Sequence, residues 1–189
     1  MAKVYVFLAD GFEDIEALIP IDVLRRGGAE VTTVSVMDDS QVVESAHGVQ
    51  IVADALFDDC DFADADLLLL PGGMPGASNL YAHTPLRQAL LAHNSKGGLT
   101  AAICAAPAVV LGQLGMLQGR RATCYPGFEQ LLQGATYTAE LCTADGNIIT
   151  AEGPAAALPF AYKLLAMLTD ESTAQQVAVG MRYAHLMQR

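Results

Sequence analysis

The segment Leu99 to Gly115, LTAAICAAPAVVLGQLG, constrains the fold more than any other. Leu99 to Ile103 reads as a short buried strand, and Ala105, Ala106 and Pro107 open a helix. Pro107 suits a first helical turn, where its missing N–H would have had no intrahelical partner. Cys104 therefore falls on the corner between strand and helix. Free N–H groups and the positive end of a helix dipole favour an anion there, making a thiol a better thiolate. Ala101, Ala102, Ala105 and Ala106 leave the sulfur room and let backbone donors approach. Taken alone, a cysteine of this kind reads as core packing. The corner makes Cys104 a candidate nucleophile, provided that other groups converge on it.

The flanking sequence supplies a frame for that corner. Lys3 to Ala9 is rich in Val, Tyr and Phe with little alternation, as a strand buried on both faces should be. Glu13 to Arg26 carries a helical stripe at Ile15, Leu18, Ile19, Val23 and Leu24. Its acidic residues come early and Arg25 and Arg26 late, matching the macrodipole, and Gly27 and Gly28 stop it. Pro20 should kink this helix. Glu30 to Val36 is a second strand, completing a right-handed βαβ unit. Val42 to Val52 reads as an edge hairpin broken at His47 and Gly48, and Asp54 to Asp66, with six Asp, as a solvated loop with one helical turn.

Leu67 to Leu70 is a third buried strand, ended by the turn Pro71 to Gly76. A helix capped at Thr84-Pro85 runs to about Asn94. Beyond Gly115, Arg121 to Cys124 reads as a brief strand and Phe128 to Leu132 as a short helix. Tyr137 to Cys142 and Ile148 to Ala151 read as a hairpin around Asp145, Gly146 and Asn147. Ala155 to Leu168 is a helix kinked at Pro159, Asp170 to Val179 another, and Met181 to Arg189 a basic tail. Strands alternating with helices imply an α/β fold: a mostly parallel sheet with helices on both faces.

Composition bounds the partners. A chain of 189 residues, 52% hydrophobic and 16% charged, is expected to fill one domain over 1–189 with an aliphatic core, since it has no Trp. Net charge is -11, with no Lys/Arg stripe, so neither nucleic acid nor an anionic membrane is expected as a partner. The N-terminus lacks a signal-type apolar region and cleavage pattern, and no apolar run approaches a membrane span. A cytoplasmic location is expected. Cys60, Cys104, Cys124 and Cys142 are widely spaced, and reduced thiols are the default.

Sites in such sheets form beyond the carboxyl ends of the strands. Glu16, Gly72, Gly73 and Cys104 all fall there. Gly72 and Gly73 let backbone N–H groups approach a ligand, and with the N–H of Ala105 would hold a developing oxyanion. Glu16 alone reads as an exposed helix carboxylate. Beside the sulfur it would oppose a thiolate when ionised and favour one when protonated, so that one shared proton would make it an acid and a base. His47, His83, His93 and His185 show no ligand spacing with one another or with the cysteines, and no metal is expected. Cys124 and Cys142 read as packing. Met167, Met181 and Met187 fit either a subunit contact or core filling. PGGMPG lacks the pattern of a phosphate loop.

LPGG at Leu70 to Gly73, AAICAAP at Ala101 to Pro107 and GFEDIEALIPIDVLRRGG at Gly11 to Gly28 closely resemble the ThiJ/PfpI superfamily, in the branch of the Parkinson-disease-associated deglycase and its bacterial relatives. The resemblance spans nearly the entire chain. It implies a flavodoxin-like three-layer sandwich, a homodimer, no cofactor, an easily oxidised nucleophile at Cys104, a protonated acid at Glu16 and oxyanion donors at Gly73 and Ala105. It implies activity on reactive 2-oxoaldehydes, either as a cofactor-free glyoxalase converting methylglyoxal to lactate or as a protein deglycase. Alternatively, the protein is a redox sensor or chaperone whose Cys104 an oxidant converts to sulfinate, or an enzyme on another substrate, thiamine thiazole biosynthesis being an older label for some relatives. Two positions depart from the human-type pattern: Tyr125 stands where those proteins have histidine, and His47 where they have arginine. Both are candidates for supporting roles. The protease branch has histidine directly after the cysteine, where this chain has Ala105, which disfavours a Cys-His peptidase.

Overall fold

The computed structural model describes residues 1–183. In chain order, β1 (Lys3–Leu8), α1 (Asp14–Arg26) and β2 (Glu30–Ser35) form the first crossover unit. β3 (Val42–Glu44), β4 (Gln50–Val52) and β5 (Ala55–Leu56) precede β6 (Leu67–Leu70), α2 (Gly76–Ala82), α3 (Thr84–Ser95) and β7 (Leu99–Ile103). β8 (Arg121–Ala122), β9 (Thr136–Tyr137), β10 (Cys142–Asp145), β11 (Ile148–Ala151), α4 (Ala157–Leu168) and α5 (Glu171–Gly180) follow. The central sheet has seven strands in the order β10-β11-β7-β6-β1-β2-β5. Only β10 and β11 pair antiparallel. Helices flank this sheet, giving the α/β architecture expected from the alternation of elements.

The middle of the sheet is buried because its strands have hydrocarbon on both faces. All four leucines of β6 are fully buried, Val4 of β1 pairs with Val31 and Leu67, and Leu67 pairs with Leu99. Burying a leucine contributes roughly 1.5–3 kcal/mol, so this run is a major source of stability. α1 packs on α4 so closely that a Cβ on Gly27 would lie 2.2 Å from a Leu165 methyl. β1 lies between β2 and β6, where the direction of winding reverses. The loops after β1 and β6 therefore open on a shared crevice.

Several expectations are corrected. Asp54 to Asp66 holds the one helical turn expected, the 3-10 turn Phe57–Asp59, but also the short edge strand β5. Asp54 is exposed and outside any strand, as expected, but it is anchored: its Oδ2 accepts from Thr33 N, Thr33 Oγ1 and Arg25, each at 2.8 Å. The β3–β4 hairpin forms its own two-stranded sheet rather than the edge of the main one. It folds over the loop after β1, where Gly11 N donates to Glu44 O and Ala46 N to Phe12 O, both at 2.8 Å. α2 fills the stretch between the Pro71 to Gly76 turn and the helix that begins at Thr84.

The hairpin strand is Cys142–Asp145 rather than 137–142. Asp145 pairs with Ile148, leaving a two-residue loop in which Gly146 takes φ +59°, and this loop sets the register. Tyr137 belongs to the parallel pair β8–β9 instead. α1 runs through Pro20 without ending, and its buried face holds Glu16, Ala17, Pro20, Ile21, Val23 and Leu24. Ile15 and Leu18 point outward. Pro159 falls in the first turn of α4, after the 3-10 turn Pro154–Ala156, where a missing N–H has no consequence. The turn after Cys104 is a π-type helix, Pro107–Gly112, not an α-helix running to Gly115. Gly112 lets it pass the next segment, since a Cβ there would lie 2.1 Å from Leu131 O. His185 and Met187 lie outside the described residues. Met167 and Met181 are partly buried against the core.

Candidate active site

Cys104 follows β7 directly and takes φ +65°, a left-handed conformation that costs a non-glycine residue about 1–3 kcal/mol. Two backbone bonds hold it there. Cys104 N donates to Ala151 O at 2.9 Å, and Cys104 O accepts from Tyr125 N at 2.8 Å. Ala105 O then accepts from Val109 N at 2.8 Å, starting the helical turn. The corner is thus clamped by β11 on one side and by the segment after β8 on the other. The side of the residue left to solvent is small: Cys104 is 9% exposed.

Glu16 comes from the first turn of α1, whose start is fixed by Glu13: Glu13 Oε2 accepts from Glu16 N at 2.8 Å, and Glu13 N donates to Gly72 O at 3.0 Å. Glu16 is fully buried, so the reading of it as an exposed helix carboxylate is wrong. Its Oε2 accepts from Gly72 N at 2.9 Å, and its Oε1 is buried with no partner. Gly72 must be glycine. A Cβ there would lie 2.6 Å from both Cys104 Cβ and Glu16 Oε2, which places those two atoms within about 5 Å of each other. Gly73 takes φ +88°, and a Cβ on it would lie 2.5 Å from Glu13 N. The loops after β1, β6 and β7 therefore meet at the sulfur, bringing Glu16, Gly72, Gly73, Cys104 and Ala105 together.

The electrostatics depart from the simple picture of a lowered thiol. Burial pushes the Cys104 thiol up to about 12, and the negative charge of Glu16 adds to the rise. The N–H groups of Gly73 and Ala105 act in the other direction, favouring negative charge on the sulfur. Burial likewise pushes Glu16 up to about 7, the charge of Glu13 adding to it, while the Cys104 thiol and Gly72 N–H oppose it. The repulsion between the two groups belongs to ionised Glu16. With the proton on Glu16 the carboxyl becomes a donor, and the single negative charge can sit on sulfur under the amides. Cys60, Cys124 and Cys142 are also raised by burial, but no backbone N–H opposes the rise in them.

The two departing positions take different places. His47 sits in the β3–β4 hairpin with Nδ1 2.7 Å from Asp14 Oδ2, and Asp14 Oδ1 accepts from Ser45 Oγ at 2.6 Å. The partnership with Asp14 raises the His47 pKa. Potential ligand atoms of Glu13, Asp14 and His47 lie within 4.8 Å of one another, a grouping no local spacing reveals. These acceptors are already engaged by Glu16 N, Ser45 and His47 itself. Tyr125 supports the corner through its backbone rather than its hydroxyl, a contribution that side-chain chemistry alone does not announce.

Comparison with known proteins agrees with this geometry. The model of the DJ-1/PfpI family matches residues 2–167. The Arabidopsis thaliana protein DJ-1 homolog B is 42% identical over 93% of this chain, which spans only 40% of that longer protein. A Caenorhabditis elegans glutathione-independent glyoxalase is 33% identical, with 82% of each protein covered. Among solved structures, oxidized Toxoplasma gondii DJ-1 superposes with a TM-score of 0.92 at 38% identity, covering 96% of this chain and 98% of the other. No helix among the described residues is long and apolar enough to cross a membrane. Matching a family model over most of its length and sharing the flavodoxin-like fold of these relatives, the chain belongs to the DJ-1/PfpI family.

Proposed function

We propose that the protein is a cysteine-dependent enzyme of the stress response acting on reactive 2-oxoaldehydes, as a cofactor-free glyoxalase or a related deglycase. The observation that carries this reading is the convergence of one sulfur, two backbone donors and one buried carboxyl with a raised pKa. The glyoxalase among its relatives supports it. In the first step the Cys104 sulfur attacks the aldehyde carbon of methylglyoxal. A C–S bond forms, and the carbonyl electron pair moves to oxygen, held by the N–H groups of Gly73 and Ala105 and protonated by Glu16. Glu16, now ionised, removes the proton from that carbon and returns it to the neighbouring one, while the hydroxyl proton on the first carbon's oxygen passes to the former ketone oxygen. The aldehyde carbon is oxidised as the ketone carbon is reduced, leaving a lactoyl thioester. Water cleaves the thioester to lactate and restores the thiol.

Reduced thiols fit a cytoplasmic setting, and the four described cysteines are free. The reading includes a homodimer, for which Ile15 and Leu18 on α1, 45% and 41% exposed, offer apolar surface beside Glu16. Lactate formation from methylglyoxal by the purified protein is the test. Wild type should exceed Cys104→Ser and Glu16→Gln by at least about a hundredfold, the usual contribution of a nucleophile or acid–base group. Equal rates in wild type and Cys104→Ser would sink the reading.

A second reading rests on the same donors. A peroxide oxidises the sulfur to a sulfenic acid, releasing water, and a second equivalent takes it to a sulfinate, whose oxygens the two amides and protonated Glu16 are placed to bind. In that case the cysteine serves as a sensor with little turnover.

A further inference from the structure

A cavity of about 250 Å³ lies between two segments that connect to the Cys104 backbone. Tyr125 and Pro126 form one wall and Gly153, Pro154 and Ala155 the other, with Leu141 joined to the second through Glu152 N, which donates to Leu141 O at 3.0 Å. Both walls are bonded to the nucleophile's own backbone. Tyr125 N donates to Cys104 O, and Cys104 N donates to Ala151 O, two residues before Gly153. The space is therefore held in fixed relation to the corner.

Its lining is mainly hydrocarbon. Leu141 is 57% exposed and Tyr125 45%, so both present apolar surface to an occupant. Gly153 helps to set the width, because a Cβ there would lie 3.1 Å from Tyr125 Cδ2 and press on the ring. The single charged group in the lining is Glu152. An anionic occupant is thus disfavoured and a neutral, apolar one favoured. Cavities of about 150 Å³ hold benzene, so there is room here for an aromatic ring. The chemistry at the sulfur, the two amides and Glu16 uses none of this space.

We infer that the cavity receives the substituent on the ketone carbon of the substrate, so that the preferred class is aryl- or branched-alkyl-substituted 2-oxoaldehydes rather than glyoxal itself. The inference rests on the reading of Cys104 as the nucleophile that adds to the aldehyde. Stacking on the Tyr125 ring and contact with Leu141 and Pro154 supply the selectivity.

Two measurements test it. The first compares KM and kcat for glyoxal, methylglyoxal and phenylglyoxal in wild type, Leu141→Ser and Ala155→Trp; the last change fills the cavity from an exposed position. The second compares alkylation of Cys104 by phenacyl bromide and by bromoacetone, each normalised to free cysteine. Wild type should show a KM for phenylglyoxal at least about tenfold below that for glyoxal, the scale on which hydrophobic pockets discriminate. A matching alkylation preference should accompany it, and both should collapse in the two variants. Equal handling of the aryl and small reagents, or a preference that survives Ala155→Trp, would overturn the inference. Absent or Cys104-independent turnover with the alkylation preference intact would instead overturn the glyoxalase reading and leave the cavity as a site for aryl carbonyl compounds.

Discussion

Gly72 N–H donates to Glu16 Oε2 at 2.9 Å, while the other oxygen of the same carboxyl lies buried without a partner. A carboxylate so placed is under-solvated, and protonation relieves it. This is the physical origin of the raised Glu16 pKa, and it has measurable consequences.

The first concerns the pH dependence of the thiol. Below about 7 both Glu16 and Cys104 hold protons; above it the pair has lost one, and the remaining proton is shared between them. The sulfur can be an anion only in that second state. Alkylation of Cys104 by iodoacetamide, followed on its peptide by mass spectrometry, should therefore rise through an inflection near pH 7 and level off. In Glu16→Gln that inflection should vanish and the rise move to alkaline pH. A wild-type profile with its sole inflection near the ordinary thiol value would contradict the shared proton.

Stability should carry the same signature with a definite sign. Glu16 has a folded-state pKa of about 7 against a model value of 4.5, so between these values the folded protein binds more protons than the unfolded chain. Stability from this group is present below the unfolded value and lost as pH rises to about 7, by at most roughly 3 kcal/mol. Glu16→Gln removes that loss. Denaturant melts should find the variant gaining on wild type between pH 4.5 and 7, with a constant difference above. An unchanged difference across that window would show that the carboxyl is no worse off folded than unfolded.

Glycines in the chain should respond unequally to alanine. Gly72→Ala drives a Cβ to 2.6 Å from Cys104 Cβ and Glu16 Oε2, with Ile103 O at 2.8 Å, whereas Gly28→Ala meets nothing within 4 Å. Gly28 does have φ +84°, so its substitution costs backbone strain of about 1–2 kcal/mol. Gly72→Ala adds overpacking of about 1–3 kcal/mol and displaces the reacting groups. It should abolish selective Cys104 alkylation, which Gly28→Ala should retain. Comparable behaviour of the two variants would mean that the crowding around Gly72 is easily relieved.

Mild peroxide should discriminate among the cysteines. Only Cys104 has backbone donors that oppose the rise of its thiol pKa, so two added oxygens should appear on its peptide before any appear on the partly exposed Cys60. Glu16→Gln should slow this step. Peptide mapping that finds all four cysteines oxidised at one rate would argue against a tuned sulfur.

Much of the fold is legible locally. Four consecutive leucines can hardly do other than form a buried strand, and a proline three residues past a cysteine at a strand end marks a helical start. The two-residue strands β5, β8 and β9 are not legible, because two residues carry no periodicity; their pairing is decided by what lies beside them. Ile15 and Leu18 show the same limit, since periodicity marks an apolar stripe without fixing which of its residues meet the core.

What the sequence determined by itself was the corner: a small-residue strand, one cysteine and a proline-initiated turn, all set by short-range sterics and hydrogen bonding. What only the tertiary structure decided was the company of that cysteine. Glu16 is buried because two loops, after β1 and β6, close over the end of α1, and the rise in its pKa comes from that enclosure rather than from its neighbours in the chain. Tyr125 grips the corner through a backbone amide that every residue but proline possesses, so nothing about its side chain could have announced it.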